Sequence, residues 1–552
     1  MRRPTSPTLV LWSLAAVLLL AGAWAGLAEG TFPAAPGPGV GVAAVTQSAD
    51  TLAADTLPAT LRLIDPRAAD PIADAEAGPP TTGVGAADPP IDQAQEEPQE
   101  LIDDALVVEG WTVDDLDTPL WDRLRSLLGL LVIGVLAWLL SVNRKKIPWR
   151  VVLWGLGLQI AFAVFILKTP VGAELFALLN TLVVALLGFT VEGARFIFGD
   201  LVFNNVPVGV GEPGNAPIQQ ETEMVAQTGA FFAFNVLPTI IFFSSLMSLL
   251  YHVGVMQILV KAVAWIMQRT MGTSGAETLS AAGNIFVGQT EAPLLVKPFV
   301  EKMTDSELMA VMTGGFATVA GGVLAAFVGM LVAYFPDIAG HLIAASVMSA
   351  PAALVIAKIM VPETEESETA TGLAVDPETR YVNSIDAASG GAAEGLHLAL
   401  NVGAMLLAFI ALIAMFNAGV GWAGGYVGMP DLTLEGILGW GLAPLAWVMG
   451  VSWADAQTVG SLMGLKTVVN EFVAYLALSS ILAEEGLEPR SVIIATYALS
   501  GFANFSSIAI QIGGIGGIAP SRRQDLSRLG LRAMIAGSLA AFMTATIAGM
   551  LL

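Results

Sequence analysis

The sequence predicts an all-α, polytopic membrane protein, and three observations support this. First, 55% of the 552 residues are hydrophobic, only 13% are charged, and the mean hydropathy is +0.71. Second, apolar runs long enough to cross a bilayer recur from residue 127 to the end of the chain. Third, polar residues interrupt two apolar stretches, at 282–300 and 466–475. We therefore expect eight transmembrane helices, interfacial helices and two re-entrant helical hairpins.

The composition also excludes several classes of protein. The chain has no cysteine, which rules out disulfides, thiolate nucleophiles and cysteine-based metal sites. Its three histidines, His252, His341 and His397, are too few and too scattered to favour a histidine-built metal site. An intramembrane hydrolase is the alternative from another class. The predicted spans carry no suitable pair of aspartates and no H-E-x-x-H sequence, so we expect no enzymatic activity.

The N-terminal 122 residues are predicted to lie outside the membrane body. Residues 1–30 read as a signal peptide, with Arg2 and Arg3 before a short apolar run and small residues after it; an uncleaved anchor is the alternative. Residues 31–122 are acidic and rich in Pro, Gly and Ala, and most of the net charge of −23 falls there. Such a segment cannot bury enough apolar surface to order itself, so we expect a disordered periplasmic tail.

Two basic clusters orient the predicted spans. One follows the first span at residues 144–150, and the other, at 522–532, precedes the last span. Basic loops stay in the cytoplasm, which places the tail and the C-terminus on the outer face of the cytoplasmic membrane. Residues 171–198 and 255–267 are expected to be interfacial helices within an N-terminal scaffold at 123–270. The eight expected spans are 127–142, 151–167, 229–253, 308–335, 339–360, 396–420, 491–510 and 529–552.

A hairpin followed by an interrupted span occurs twice. The first copy is 274–300 and then 308–335, within a unit at 271–362. The second copy is 457–478 and then 491–510, within a unit at 391–552, and an acidic cytoplasmic connector at 363–390 separates the units. Three spans lie between the hairpins, so the copies should have inverted topology. Inverted repeats and polar interruptions at membrane depth are typical of the site of a secondary transporter.

The glycine-rich middle of the first interrupted span, residues 314–323, has two readings. A break there would free backbone carbonyls to coordinate an ion, whereas close helix packing through small residues would leave the helix intact. A passive channel is also possible, but two opposed hairpins favour alternating access.

Three of these stretches resemble the signatures of the concentrative nucleoside transporter family. They are residues 283–293 (GNIFVGQTEAP), 464–475 (GLKTVVNEFVAY) and 501–510 (GFANFSSIAI). The resemblance covers residues 127–552 and is strongest to bacterial sodium-coupled members. It implies a homotrimer of eight spans and two re-entrant hairpins that imports nucleosides of the uridine, cytidine and adenosine class. Sodium would be the coupling ion, with no organic cofactor and no nucleic-acid partner.

The resemblance also implies roles for individual residues. The first hairpin would contact the nucleobase through Gln289, Thr290 and Glu291. The second hairpin and the last broken span would hold the ribose hydroxyls through Glu471, Asn504 and Ser507. Two apolar residues, Val323 and Phe502, would pack against the nucleoside. Sodium would be held by Asn284, Val287, Thr318 and Val319.

The residue chemistry fits these roles. A carboxylate accepts hydrogen bonds from two hydroxyls at once, and such bonds are stronger than neutral ones, so Glu471 suits the ribose diol. A proton-coupled symporter of the same family, with Glu291 or Glu471 titrating, is the main alternative. Base preference stays open.

Overall fold

The computed structural model describes residues 118–203, 205–207, 225–227, 232–370, 381–426, 428–484 and 486–552. The predicted signal peptide and nearly all of the predicted tail lie outside the described residues. Helices in the N-terminal half are α1 Leu120–Leu139, α2 Trp149–Lys168, α3 Pro170–Phe198, α4 Leu237–His252, α5 Val255–Met271, α6 Gly275–Gly283, α7 Lys297–Val300, α8 Asp305–Ala317 and α9 Gly321–Leu331. Those in the C-terminal half are α10 Ile338–Met360, α11 Ser384–Gly425, α12 Leu434–Met449, α13 Trp453–Val468, α14 Glu471–Glu484, α15 Pro489–Leu499, α16 Phe505–Ile518 and α17 Arg523–Leu551. Strands β1 Asn205–Pro207 and β2 Val225–Gln227 form one antiparallel pair.

Seven helical stretches in the described part of the chain are long and apolar enough to cross a membrane, and an eighth is reached if the bent pair α12–α13 counts as one span. The seven are Trp149–Lys168, Pro170–Val202, Phe232–His252, Asp305–Leu331, Ile338–Met360, Ser384–Gly425 and Pro520–Leu551. Six of them match predicted spans. Pro170–Val202 contains the helix that we expected at the interface, but its 33 residues have the length and hydropathy of a span.

The helices form a buried centre and an exposed periphery. In the most apolar windows of Asp305–Leu331 and Ile338–Met360, 89% of the residues are buried, compared with 11% for Pro170–Val202 and Ser384–Gly425. The centre therefore consists of α8, α9 and α10, joined by α17, since the most apolar window of the stretch Pro520–Leu551 is 83% buried. Helices α3 and α11 expose wide apolar faces, for which a bilayer or another apolar surface is the compatible environment.

The first predicted hairpin is a helix, a turn and a short helical return. Helix α6 starts with a capping box in which Ser274 and Glu277 satisfy each other's backbone N–H groups. It ends at Gly283, and after a series of turns the chain resumes as a 3-10 helix at Ala292–Val296, where Pro293 is compatible with a helix start but not with a helix interior. Whether this hairpin is re-entrant stays a prediction.

The glycine-rich stretch contains a helix break, and its glycines also allow close packing. The helix breaks at residues 318–320, between α8 and α9, and the backbone N–H of Gly321 donates to the Phe286 carbonyl of the hairpin at 3.2 Å. Close packing occurs one turn earlier. A Cβ on Gly315 would lie 2.8 Å from Gln289 Cβ and 2.8 Å from Gln511 Nε2, so only glycine allows these elements to approach each other.

The C-terminal half repeats this order, with two corrections to the prediction. Helices α13 and α14 are separated at residues 469–470, and α15 and α16 at residues 500–504. The second interrupted span was predicted to end at residue 510, but α16 continues through the glycines at 513–517 to Ile518, and Pro520 follows. Packing outweighs the low helix propensity of glycine here, since a Cβ on Gly514 would lie 2.7 Å from Thr290 Cγ2. The predicted connector is also shorter at its C-terminal end, because α11 begins at Ser384.

Gly501 lies in the break between α15 and α16 and packs against the end of α8. Its φ is +99°, and an added Cβ would lie 2.7 Å from the Ala317 carbonyl oxygen at the end of α8. We expect Gly501→Ala to lower the free energy of unfolding by about 1–3 kcal/mol, because strain and a backbone clash combine. Thermal unfolding in detergent measures this. Gly513→Ala is the matched control, since its Cβ would meet no atom of the described residues within 4 Å; equal effects of the two substitutions would contradict the expectation.

Candidate functional site

The tip of the first hairpin is bonded to α16. Gln289 Nε2 donates to Ser507 Oγ at 3.1 Å, and Gln511 Nε2 donates to Gln289 Oε1 at 3.1 Å and to the Met312 carbonyl at 3.1 Å. The three side chains in this chain of bonds are buried. Gln511 was not singled out from the sequence. The first hairpin, α8 and α16 are therefore held together by amide hydrogen bonds.

The second hairpin reaches the same place through a carboxylate. Asn504 Nδ2 donates to Glu471 Oε2 at 2.9 Å, while Asn504 Oδ1 accepts from the Ser507 backbone N–H at 2.9 Å and from Ser506 Oγ at 2.7 Å. Asn504 is thus both the N-cap of α16 and the partner of Glu471. Glu471 is 4% exposed, and its buried charge is stabilised by this bond. Four predicted substrate residues, Gln289, Ser507, Asn504 and Glu471, therefore form one connected network.

The other predicted substrate residues lie around this network. Val323, near the start of α9, and Phe502, in the α15–α16 break, are buried. Thr290 and Glu291 instead line a cavity of about 910 Å³. The Glu291 side chain is exposed to this cavity, and its Oε2 accepts from the Gly288 backbone N–H at 2.9 Å, so it also caps the turn. Glu471, Asn504 and Ser507 do not line the cavity.

Part of the cavity wall was not predicted from the sequence. Glu394, His397 and Asn401 line it from α11, and Tyr251 lines it from α4. Neither Glu394 nor His397 was assigned a role from the sequence, and both lie well inside the 42-residue α11. Their spacing of three and four residues puts Glu394, His397 and Asn401 on one face of that helix, which is the sequence signal that identifies them.

The predicted cation ligands are buried at the first helix break. Asn284 is 0% exposed, and among the described residues neither atom of its side-chain amide has a hydrogen-bond partner. Ser280 Oγ, one turn earlier, is also buried and has no partner in the same part of the chain. Val287, Thr318 and Val319 are buried, and Thr318 Oγ1 donates to the Gly314 carbonyl at 2.9 Å, which leaves its lone pairs available.

The residues here are compatible with a monovalent cation. A Cβ on Gly314 would lie 3.0 Å from Asn284 Nδ2, so α8 passes directly beside the unpartnered amide. Leaving such a buried group unpaired costs about 1–3 kcal/mol, which a ligand would offset. The described residues contain no group of three His, Cys, Asp or Glu that would hold a divalent metal. The donors are neutral oxygens, which suit a hard cation of low charge.

Comparisons with known proteins point to one family. Three family models match in succession: the N-terminal part of the Na⁺-dependent nucleoside transporters at 128–201, a nucleoside recognition (gate) model at 233–334, and the C-terminal part of the Na⁺-dependent nucleoside transporters at 341–549. An uncharacterized transporter of Haemophilus influenzae is 45% identical over 431 residues, which cover 77% of this chain and 97% of that protein. Solute carrier family 28 member 3 of Mus musculus is 42% identical over 437 residues, covering 77% of this chain and 58% of that longer protein.

Solved structures show the same likeness. CNTnw in an inward-facing, substrate-bound state is 45% identical with a TM-score of 0.69, and the match covers 78% of this chain and 98% of that one. A CNTnw variant in an outward-facing state is 44% identical with a TM-score of 0.70, covering 78% and 97% of the two chains. From the three family models, these relatives and the bonded hairpin tips, we conclude that the chain belongs to the family of Na⁺-dependent, concentrative nucleoside transporters.

Proposed function

We propose that this protein is a secondary active symporter that imports nucleosides across the cytoplasmic membrane with the sodium gradient. The observation that carries the proposal is the buried network in which Glu471, Asn504 and Ser507 of the second half meet Gln289 at the first hairpin tip. This network lies where the broken helices α8–α9 and α15–α16 touch, because Gly501 in the α15–α16 break packs against the end of α8. Sites between broken helices of two repeats are typical of secondary transporters.

The network offers a binding surface for ribose. The Glu471 carboxylate accepts hydrogen bonds from two neighbouring hydroxyls, while the Asn504 amide and the Ser507 hydroxyl each both donate and accept. Entry of a nucleoside would exchange some of the present side-chain bonds for bonds to the sugar. The ribose hydroxyls of uridine, cytidine and adenosine are alike, so this part of the site accepts all three.

The nucleobase would lie toward the first hairpin. Gln289 and Thr290 offer an amide and a hydroxyl, Glu291 offers a carboxylate, and Val323 and Phe502 offer apolar contact. Thr290 and Glu291 line the cavity, whose volume of about 910 Å³ leaves ample room for a nucleoside. We infer that the cavity is the path by which the substrate reaches or leaves the network.

Alternating access and trimer formation complete the proposal. CNTnw, the structural relative, has been captured in inward- and outward-facing states. The exposed apolar faces of α3 and α11 are available for lipid and for neighbouring protomers. We propose a homotrimer in the cytoplasmic membrane, with basic loops inside and the N-terminal tail and C-terminus outside.

Nucleoside binding by the purified protein tests the substrate assignment. Isothermal titration in sodium buffer would compare uridine with 2′-deoxyuridine and with uracil. We expect 2′-deoxyuridine to bind about 10- to 100-fold more weakly, because loss of one hydroxyl leaves a buried polar partner unpaired. Equal affinities for uridine and uracil would contradict ribose recognition by Glu471, Asn504 and Ser507.

The sodium site makes a separate prediction. Thr318→Ala removes an oxygen donor from the first break, and we expect the sodium concentration for half-maximal uptake to rise about 10-fold. Thr544→Ala is the matched control, because Thr544 is buried and its Oγ1 likewise donates to the carbonyl four residues earlier, at 3.0 Å, but it lies in the unbroken α17. Identical sodium dependence of the two variants would remove Thr318 from the site.

One observation favours the proton-coupled alternative. The Glu291 side chain is exposed to the cavity, where water can reach its carboxylate. If Glu291 carried the coupling proton, uptake would persist without sodium and Glu291→Gln would abolish its dependence on a proton gradient. If sodium is the coupling ion, the same variant keeps its sodium dependence.

A further inference from the structure

Lys466 is a charged side chain in the second hairpin motif that the proposed function leaves unexplained. It lies in α13 and is 0% exposed. Its Nζ donates to the Ala498 carbonyl and to the Ser500 carbonyl, both at 3.0 Å, and lies 6.0 Å from the centroid of the Phe542 ring. The two carbonyls belong to the end of α15, where the helix breaks.

A cation is favoured at this position for general reasons. The last carbonyls of a helix have no partner within the helix, and they carry the negative end of the helix dipole. Transporters use the C-terminal ends of half-helices and the unwound carbonyls beyond them to coordinate their coupling cations. At the end of α15 this environment is filled by an ammonium group that belongs to the chain.

The first half has the same elements but a different side chain. There, Thr318 is the C-cap of α8, as Ser500 is the C-cap of α15, so a hydroxyl residue ends the helix before each break. The side chain that the first hairpin presents to α8 is Asn284, a neutral amide that has no partner among the residues the structure describes. The side chain that the second hairpin presents to α15 is Lys466, a cation with two carbonyl partners.

We propose that Lys466 is a tethered cation, whose ammonium takes at the α15–α16 break the place that a free sodium ion takes at the α8–α9 break. The inference rests on the proposed sodium site of the first half. It follows that each protomer needs one free cation rather than two. Lys466 also gives the second hairpin a positive charge of its own, five residues before Glu471. The second hairpin therefore keeps this acidic substrate residue without binding an ion.

The test compares Lys466→Ala with Lys466→Met. Both variants lose the charge, but only Ala leaves a space bounded by the two carbonyls, since Met fills the volume of the lysine stem. Thermal unfolding of each purified variant would be followed while sodium replaces choline at constant ionic strength. We expect both variants to unfold at lower temperature than the wild type in choline. Sodium should restore more stability to the Ala variant than to the Met variant or the wild type.

Uptake gives a second readout of the same property. In proteoliposomes the Hill coefficient for sodium should rise from about one in the wild type towards about two in Lys466→Ala, because a second ion is then required. Lys466→Gln, which keeps N–H donors without the charge, separates hydrogen bonding from charge. A Gln variant with wild-type stability and sodium dependence would overturn the proposal.

The remaining outcomes also decide the question. If Ala and Met respond to sodium as the wild type does, Lys466 does not stand in for a cation. If none of the neutral variants folds but Lys466→Arg does, the charge is required and the proposal is supported. If Arg also fails to fold, the position accepts only lysine for packing and the proposal is overturned. Failure of nucleoside uptake by the wild type, together with the sodium response of Lys466→Ala, would refute the substrate assignment but not this inference.

Discussion

Replacing Glu471 by Gln is expected to lower nucleoside uptake by about 100-fold while leaving the fold intact. The carboxylate accepts from Asn504 Nδ2 and has further lone pairs for the ribose hydroxyls. A glutamine amide has only one oxygen, so it cannot accept from Asn504 and from two hydroxyls as a carboxylate does. If it turns its NH₂ group toward Asn504 instead, it cannot accept from Asn504 with that group. Bonds to a charged group contribute about 1.5–3 kcal/mol, and 1.4 kcal/mol corresponds to a tenfold change.

The measurement is uridine uptake and uridine affinity of Glu471→Gln, with thermal unfolding to verify the fold. Glu484→Gln is the matched control, since Glu484 is an exposed glutamate at the other end of the same helix. We expect the control to retain wild-type uptake. A Glu471→Gln variant that binds uridine with wild-type affinity would exclude the carboxylate from ribose recognition.

The second large effect is expected at the base of the first hairpin, from Lys358→Met. Lys358 Nζ lies 2.6 Å from Glu277 Oε2, with side-chain exposures of 5% and 2%, and it also donates to Ser306 Oγ at 2.9 Å. Removing the lysine leaves Glu277 as a buried, uncompensated charge. Breaking a buried pair in this way costs about 3–5 kcal/mol, so the unfolding temperature should fall sharply.

Two further variants identify the cause of that loss. Lys302→Met removes a lysine whose pair with Glu368, at 2.8 Å, is exposed, and such pairs contribute about 0–1 kcal/mol. Adding Glu277→Gln to Lys358→Met removes the orphaned charge and should recover part of the stability. If Lys358→Met and Lys302→Met lowered the unfolding temperature equally, burial of the pair would not matter.

Local signals explain which parts of the fold could be predicted from the sequence. Pro293 cannot continue a regular helix and the glycines near Thr318 weaken one, and the chain departs from a regular helix at both places. Asn504 in an otherwise apolar span marks another break, because it caps the helix that follows. Such features depend on neighbouring residues alone.

Long-range packing explains what could not be predicted. The glycines near Gly514 are weak helix formers, yet α16 stays helical to Ile518, and Gly514 packs closely against Thr290. The partners of Lys466 lie more than 30 residues away, so nothing in the motif itself indicates that its charge meets the end of another helix. The missing partner of Asn284 is likewise visible only once every neighbour is in place.

Uridine uptake into proteoliposomes, driven by an imposed sodium gradient or by an imposed proton gradient, tests the central claim most directly. We expect accumulation above the external concentration with an inward sodium gradient at equal pH, and none with a proton gradient in sodium-free buffer. Accumulation with protons alone would assign the coupling to a carboxylate instead of sodium. If folded protein accumulated neither uridine nor adenosine under either gradient, nucleoside symport by this chain would be contradicted.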